Sequence, residues 1–493
     1  MTDEALDAPG IGSDSAPALP ATPTTFQRTL SGWHLILLVV AAAAPMAAVV
    51  GIVPVAFAFG NGAGVPVTVV GVVAVLALFS VGYSAMSRKI VSTGGFYSYV
   101  THGLGGVPGL GAAFVAMISY ASIVIGALGY FAYFSQTVVT SITGWSCPWI
   151  WFAVAGGLLI AGLGYRGIDL SFRVIAVLLV AEFAVLLCLV VAVIVRLGAH
   201  AFPVEAFSFR SIGTGAPGIA VMLVFLLFIG FESAAIYSEE TRDARRTVAR
   251  ATYGAVALMG SFYVLTTWVT VGAVGAGRIA DVSAAAPGNL YFDLTASYLA
   301  PWVSQLMAVF MATSMFATAL ALHNVAGRYL CSLGRQGCAP AIVGRLHRRY
   351  GGPYAASVAV SIATTSIVVI GFVFGASPLV GLGTVAAGLG TVGIMFLQCL
   401  ASLAIVGYFR RHGGGPLWST VVAPLLALAG LGLGVALAVA RFDLVSGGTS
   451  IFVNVLPVLI AVAFVTGSLY GFWLKLRRPQ RYRRVTEHLA SNG

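Results

Sequence analysis

Charge is the scarcest thing in this chain. Asp, Glu, Lys and Arg make up 8% of its 493 residues, and the 15 acidic ones form no cluster beyond Glu239-Glu240-Asp243. A membrane-embedded enzyme needs acids or histidines gathered at one face, so that class has no support. Histidine and cysteine are also few, at seven and five. None has metal-ligand or disulfide spacing, and Cys147, Cys188, Cys331, Cys338 and Cys399 read as small buried hydrophobes without a redox role. No phosphate-binding loop is present, which leaves ATP-driven transport unsupported, and no repeated pore motif suggests a channel. No cofactor is implied. Residues 1–27 contain no Lys or Arg and no apolar core, so they do not form a signal peptide and read as a disordered cytoplasmic tail.

What fills the chain instead is apolar sequence: 59% hydrophobic residues and 60 glycines. Runs near the roughly twenty residues that a bilayer requires recur along its whole length. They predict an all-α polytopic membrane protein of about twelve helices. The spans fall at 34–60, 66–87, 106–140, 147–165, 170–196, 216–240, 247–275, 299–330, 354–374, 378–409, 417–440 and 450–475. The third, eighth and tenth are long enough to need tilt or an inner extension. With both termini in the cytoplasm, all of the 26 Lys and Arg except Arg196, Arg210, Arg278 and Arg441 lie on the inner side. The positive-inside rule selects that orientation and accounts for the +11 net charge without any nucleic acid. The basic stretch 476–493 anchors the last helix, with anionic lipid as a secondary contact.

Two spans carry breaks. Pro45 in the first removes a backbone donor and clashes with the preceding turn. In the sixth, Gly230-Phe231-Glu232-Ser233 interrupts an apolar run with a carboxylate that costs roughly 2.5 to 3.5 kcal/mol at membrane depth. Irregular backbone is tolerated there only where it is buried in protein or lines a cavity. Breaks in the first and sixth helices suit a five-plus-five inverted repeat. The chain then divides into a first repeat at 28–213, a second at 214–412, two further helices at 413–475, and the tail.

Three separated segments extend this reading. Ser87 to Gly106 (SRKIVSTGGFYSYVTHGLGG) resembles the stretch after the second helix of amino acid permeases in the amino acid-polyamine-organocation superfamily. Gly230 to Ala251 (GFESAAIYSEETRDARRTVARA) resembles that family's sixth-helix signature, and Asn324 to Pro340 (NVAGRYLCSLGRQGCAP) its eighth-helix end. The Gly-Ser-Gly type run common in the family's first helix is replaced by Ala47-Ala48-Val49. The resemblance implies a plasma-membrane transporter that takes up amino acids or related small amines by alternating access. Proton coupling is expected, with a sodium-coupled symporter or exchanger of the same fold, or a non-transporting sensor, as alternatives.

Broken helix ends present free amides on one side and free carbonyls on the other, which suits a zwitterion. The substrate carboxylate is expected at Pro45, Met46, Ala47 and Ala48, and the ammonium at Phe228, Ile229 and Gly230. Phe231 either gates the site or simply packs. Glu232 either carries the proton or stays ionised against amides of the first break. Glu182, the other carboxylate deep in a span, is either a coupling group or a helix tie. In sodium-coupled relatives of the fold, hydroxyls of the eighth helix join first-helix carbonyls around the ion; here these would be Thr313 and Ser314 with Ala42 and Pro45. Such hydroxyls otherwise bond the carbonyl one turn back. Glu239-Glu240 with Arg242, Arg245 and Arg246, facing Arg88-Lys89 or Arg328, is either an inner gate or a solvated loop.

Overall fold

Hydrocarbon offers no partner to an unpaired amide, so a chain that crosses it as separate segments must bond each backbone within its own segment. Accordingly, every regular element among the described residues is a helix. The computed structural model describes residues 32–90, 95–166, 172–232, 234, 244–446 and 451–482. The N-terminal tail, part of the SRKIVSTGG segment, the Glu239–Arg242 motif and the last eleven residues lie outside these.

The first expected span is two pieces, α1 (Gly32–Ala43) and α2 (Val53–Phe59), joined by a widened turn at Ala47–Ile52. There follow α3 (Val65–Ser87), α4 (Gly95–Leu104), α5 (Gly106–Thr143), α6 (Trp149–Arg166) and α7 (Phe172–Leu197). The sixth span begins as α8 (Pro217–Leu227). The longer helices that follow are α9 (Ala244–Val274), α10 (Pro301–Arg335), α11 (Tyr354–Val373), α12 (Val385–His412), α13 (Ala423–Ala440) and α14 (Val458–Arg477), with short helices at Phe209–Gly213, Ile279–Ala285, Leu290–Tyr298 and Ile451–Val455 in the connections. Ten helices among the described residues are long and apolar enough to cross a membrane, and the two broken ones contribute the shorter apolar pieces Ala47–Phe59 and Pro217–Leu227. Their outer surface carries large apolar side chains such as Leu158, Val195, Phe374 and Leu469, as lipid contact requires. The protein is a multi-pass membrane protein.

Hydropathy did not anticipate α4, a ten-residue helix too short to span. Its residues Tyr97 and Tyr99 are nevertheless fully buried. It lies against α5 and α12. Cys188 also departs from expectation, since it is exposed on the outside of α7, while Cys147, Cys331 and Cys399 are buried.

The centre of the molecule is α5, bounded by Gly105 and by the left-handed cap Gly144. It packs along α10, α12 and α14. Against α14 the approach is backbone to backbone: a Cβ on Gly467 would sit 2.7 Å from Leu110 O, and one on Gly111 would sit 2.8 Å from Phe464 O. Further along, Gly126 and Gly129 lie equally close to the π-helical turn Pro378–Thr384 that opens the tenth span.

Candidate functional site

The first break falls at Ala44, one residue before the proline expected to cause it. A residue preceding proline is pushed out of the α region by the ring, and Ala44 takes φ 42°, the one positive φ of a non-glycine among the described residues. Left-handed backbone costs an alanine roughly 1 to 2 kcal/mol, so the surrounding packing holds it. Ala44 N–H donates to both Val40 O and Ala41 O at 3.1 Å, which satisfies the carbonyl that Pro45 cannot. Of the three amides expected to face a carboxylate, that of Ala48 donates to Ala44 O at 2.9 Å.

The second break follows Leu227. Phe228, Ile229 and Phe231 form tight turns onto Phe225 O, Leu226 O and Phe228 O, and Gly230 swings to φ 113°. Glu232, 1% exposed, closes this turn. Its Oε2 accepts from Gly230 N–H at 3.0 Å and its Oε1 from the Tyr120 hydroxyl of α5 at 3.0 Å. Tyr83 of α3 donates to the Glu232 carbonyl at 2.9 Å. The carboxylate therefore bonds an amide of its own break and a tyrosine, rather than amides of the first break. Neither tyrosine carries a motif that marks it in the sequence; both are brought in from more than a hundred residues away.

Between the two breaks lies a cavity of about 40 Å³, lined by Ala43, Ala44, Ala47, Ala48 and Ile52 beside the first break and by Leu226 and Ile229 beside the second. Ile123, Ala127 and Tyr130 of α5, Met315, Thr318 and Leu322 of α10, and Ala387 of α12 close it. Its polar side-chain atoms are two hydroxyls: Tyr130 pairs with Thr384 at 2.9 Å, and Thr318 donates to Ser314 O at 2.9 Å. Of the expected binding residues, Ala47, Ala48 and Ile229 line it. The side chains and main chain of Pro45, Met46, Phe228, Gly230 and Phe231 are not part of its lining; Phe231 is edge-on to Phe79 and Phe228 edge-on to Tyr263.

The coupling candidates separate into two places. Glu182 of α7 is 4% exposed and accepts a hydrogen bond at 3.0 Å from Ser314, across the interface with α10. Thr313 donates back along its own helix to Phe310 O at 2.9 Å. The two hydroxyls expected beside a sodium ion thus donate their protons to a carboxylate and to a local carbonyl. Buried His323 shares a contact with Ser357 at 3.0 Å, apart from both places.

The sequence profile described as amino acid permease matches residues 30–464. An L-lysine transport protein of Corynebacterium glutamicum is 26% identical over 358 residues, covering 68% of this chain and 67% of the relative. A branched-chain amino acid permease of Bacillus subtilis is 22% identical over 316 residues, 60% of this chain and 65% of the relative. A branched-chain amino acid permease of Lactococcus lactis subsp. cremoris is 26% identical over 205 residues, or 39% and 41% of the two chains.

Proposed function

The chain belongs to the amino acid permease family, and from that premise we propose that it takes up neutral, apolar amino acids across the plasma membrane by alternating access, in symport with protons. The observation that carries the substrate class is the composition of the cavity: alanine, isoleucine, leucine and methionine, two hydroxyls, and no charged side chain. A lysine ammonium buried there would lose its hydration without a partner, at a cost of several kcal/mol. A valine-like or leucine-like side chain loses nothing and gains about 25 cal/mol for each Å² of apolar surface removed from water. The branched-chain relatives therefore fit this lining better than the lysine relative does.

In this reading the main chain at the two breaks holds the zwitterion. The carboxylate faces the amides near Met46 and Ala47, and the ammonium faces carbonyls at Ile229 and Gly230, as the dipoles of opposed helix ends favour. Glu232 keeps the second break in shape by binding the Gly230 amide. The frame is a twelve-helix chain with a five-plus-five inverted repeat, two added helices and both termini inside, which the ten long apolar helices and the two broken pieces support.

The test is uptake into proteoliposomes of purified protein. L-Valine or L-leucine should enter and compete with one another, and L-lysine at tenfold excess should compete weakly. Preferred transport of L-lysine would refute the substrate class.

A further inference from the structure

The connection between α10 and α11 is folded around one imidazole. His347 is half-buried, and its Nδ1 accepts from two main-chain amides, Arg349 N–H at 3.2 Å and Tyr350 N–H at 3.3 Å. An amide only donates, so Nδ1 offers a lone pair and the ring proton sits on Nε2. His347 N–H donates to Gly352 O and Gly351 N–H to His347 O, each at 2.8 Å, which closes the loop behind the ring. Gly351 permits this closure with φ 70°. Three tyrosines pack on the same ring. Tyr350 is stacked at 4.7 Å between centroids, and Tyr165 of α6 and Tyr354 of α11 meet it edge-on at 5.4 and 5.7 Å. One side chain thus shapes its own loop and docks it on two helices.

We propose that His347 is a pH sensor: its neutral ring keeps this loop docked, and a proton on Nδ1 releases it and slows transport. That proton would point at two N–H groups that cannot turn round and accept, so both bonds are lost together. Histidine changes charge between about pH 5 and 8, and the docked loop needs the neutral form. Docking is therefore present at the alkaline end of that range and is lost as the pH falls through it. The link to transport runs through α10. The turn Ala341–Gly344 lies on the end of that helix, where a Cβ on Gly344 would sit 2.7 Å from Arg335 N. The same helix supplies Met315, Thr318 and Leu322 to the cavity wall. A released loop leaves this end of α10 without its tie to α6 and α11. Resting on the inward orientation and proton-coupled uptake proposed above, the sensor faces the cytoplasm and acts as a brake, since symport itself brings protons to that side.

The surroundings of the ring oppose its charged form. From the packed helices come Tyr165 and Arg166 at the end of α6, Arg335 at the end of α10 and Tyr354 at the start of α11. The loop itself adds Arg345, Arg348, Arg349 and Tyr350, with the Arg349 guanidinium over the Tyr350 ring at 5.6 Å. Neither α6, α10, α11 nor the connection 336–353 contains an Asp or Glu. An imidazolium there meets like charges and no carboxylate from these elements, so its formation strains the loop rather than securing it.

The experiment uses His347→Asn, whose Oδ1 can accept the same two amides but does not titrate, and His347→Arg, a permanent cation. A spin label at Arg348→Cys, an exposed position, reports loop mobility in proteoliposomes, with Cys188 and Cys338 replaced by serine. With histidine at 347 the label should be immobile at pH 8 and mobile at pH 5.5. With His347→Asn it should stay immobile at both, and with His347→Arg mobile at both. Counterflow of radiolabelled L-valine, with equal pH on the two sides and no gradient, reads the consequence. His347→Asn should match wild type at pH 8 and exchange at least about threefold faster at pH 5.5. A label that ignores pH with histidine at 347, or an acid transition that persists in His347→Asn, would overturn the sensor. Equal exchange by wild type and His347→Asn at pH 5.5 would overturn the brake. Absence of valine counterflow in wild type at every pH would refute the uptake reading and the brake with it, while the label would still decide whether His347 senses pH.

Discussion

If Glu232 is a fixed anion holding the second break, the Tyr120 hydroxyl and the Glu232 carboxylate should be energetically coupled, and a double-mutant cycle measures how strongly. The bond is 3.0 Å long and fully buried, and its acceptor is a carboxylate. Hydrogen bonds to charged groups contribute about 1.5 to 3 kcal/mol, and removing one partner in a buried place adds a desolvation cost. Tyr120→Phe should therefore destabilise the protein by about 2 kcal/mol. Glu232→Gln replaces one accepting oxygen with an NH₂ donor, so either the Gly230 amide or Tyr120 loses its acceptor; its cost should be about 1 to 3 kcal/mol. In the Glu232→Gln background, Tyr120→Phe removes a bond already weakened and should cost about 1 kcal/mol less than in wild type. Unfolding by denaturant in detergent micelles, followed by tryptophan fluorescence, gives the four free energies. Additivity within about 0.5 kcal/mol would mean no interaction and would refute the anchoring role. Transport should separate the two variants: Tyr120→Phe should keep gradient-driven uptake despite its stability cost, while Glu232→Gln should lose uptake and counterflow together because the break itself is disturbed.

Further outcomes follow from the same geometry. Ala387→Val adds bulk to a cavity of about 40 Å³ and should weaken L-valine affinity by about 1 to 3 kcal/mol, or roughly 5- to 150-fold, read from uptake KM; an unchanged KM would remove Ala387 from the wall. Cysteines placed between Arg345 and Tyr350 should react with a membrane-impermeant maleimide only after permeabilisation, and labelling of intact cells would invert the topology. Burial pushes the Cys338 thiol, just beyond the end of α10, up to about 11. Its alkylation should therefore keep accelerating from pH 9 to 11, where an unfolded cysteine has levelled off, and the native protein should lose stability over that window; a plateau by pH 9.5 would contradict this.

Much of the scaffold is legible in the sequence because hydropathy reports segment length directly. The expected spans at 66–87, 147–165, 170–196 and 354–374 match the helices that begin at Val65, Trp149, Phe172 and Tyr354 within two residues at each end. Both interruptions are legible too, since proline and a glycine next to a carboxylate have few other uses in an apolar run. What cannot be read is partnership. Ser314 and Glu182 are 132 residues apart, and Tyr120 and Glu232 are 112 apart; no local pattern joins them. The position of the strain was also missed by one residue, because a proline acts on the conformation of the residue before it and Ala44 has nothing distinctive about its side chain. α4 escaped because a ten-residue helix buried under longer ones has neither spanning length nor a surface helix's polar face.

The glycine contacts of α5 bear on how such a molecule moves. Where two helices touch through side chains, rotamer changes absorb small rotations, and the pair can rock. Where Gly111 and Gly467 bring α5 and α14 together at their main chains, no such cushion exists, and the same holds where Gly126 and Gly129 meet the turn at Pro378–Thr384. Those elements must travel as one block. α1, the turn Ala47–Ile52 and α8 instead meet the block at the cavity through the methyl groups and short chains of alanine, isoleucine and leucine, while Gly218 ties α8 to the main chain of α13 at Leu437. Labels on α5 and α14 should therefore keep a constant separation while labels on α8 move against both, so the machine has a keel and a rudder, and its glycines mark which is which.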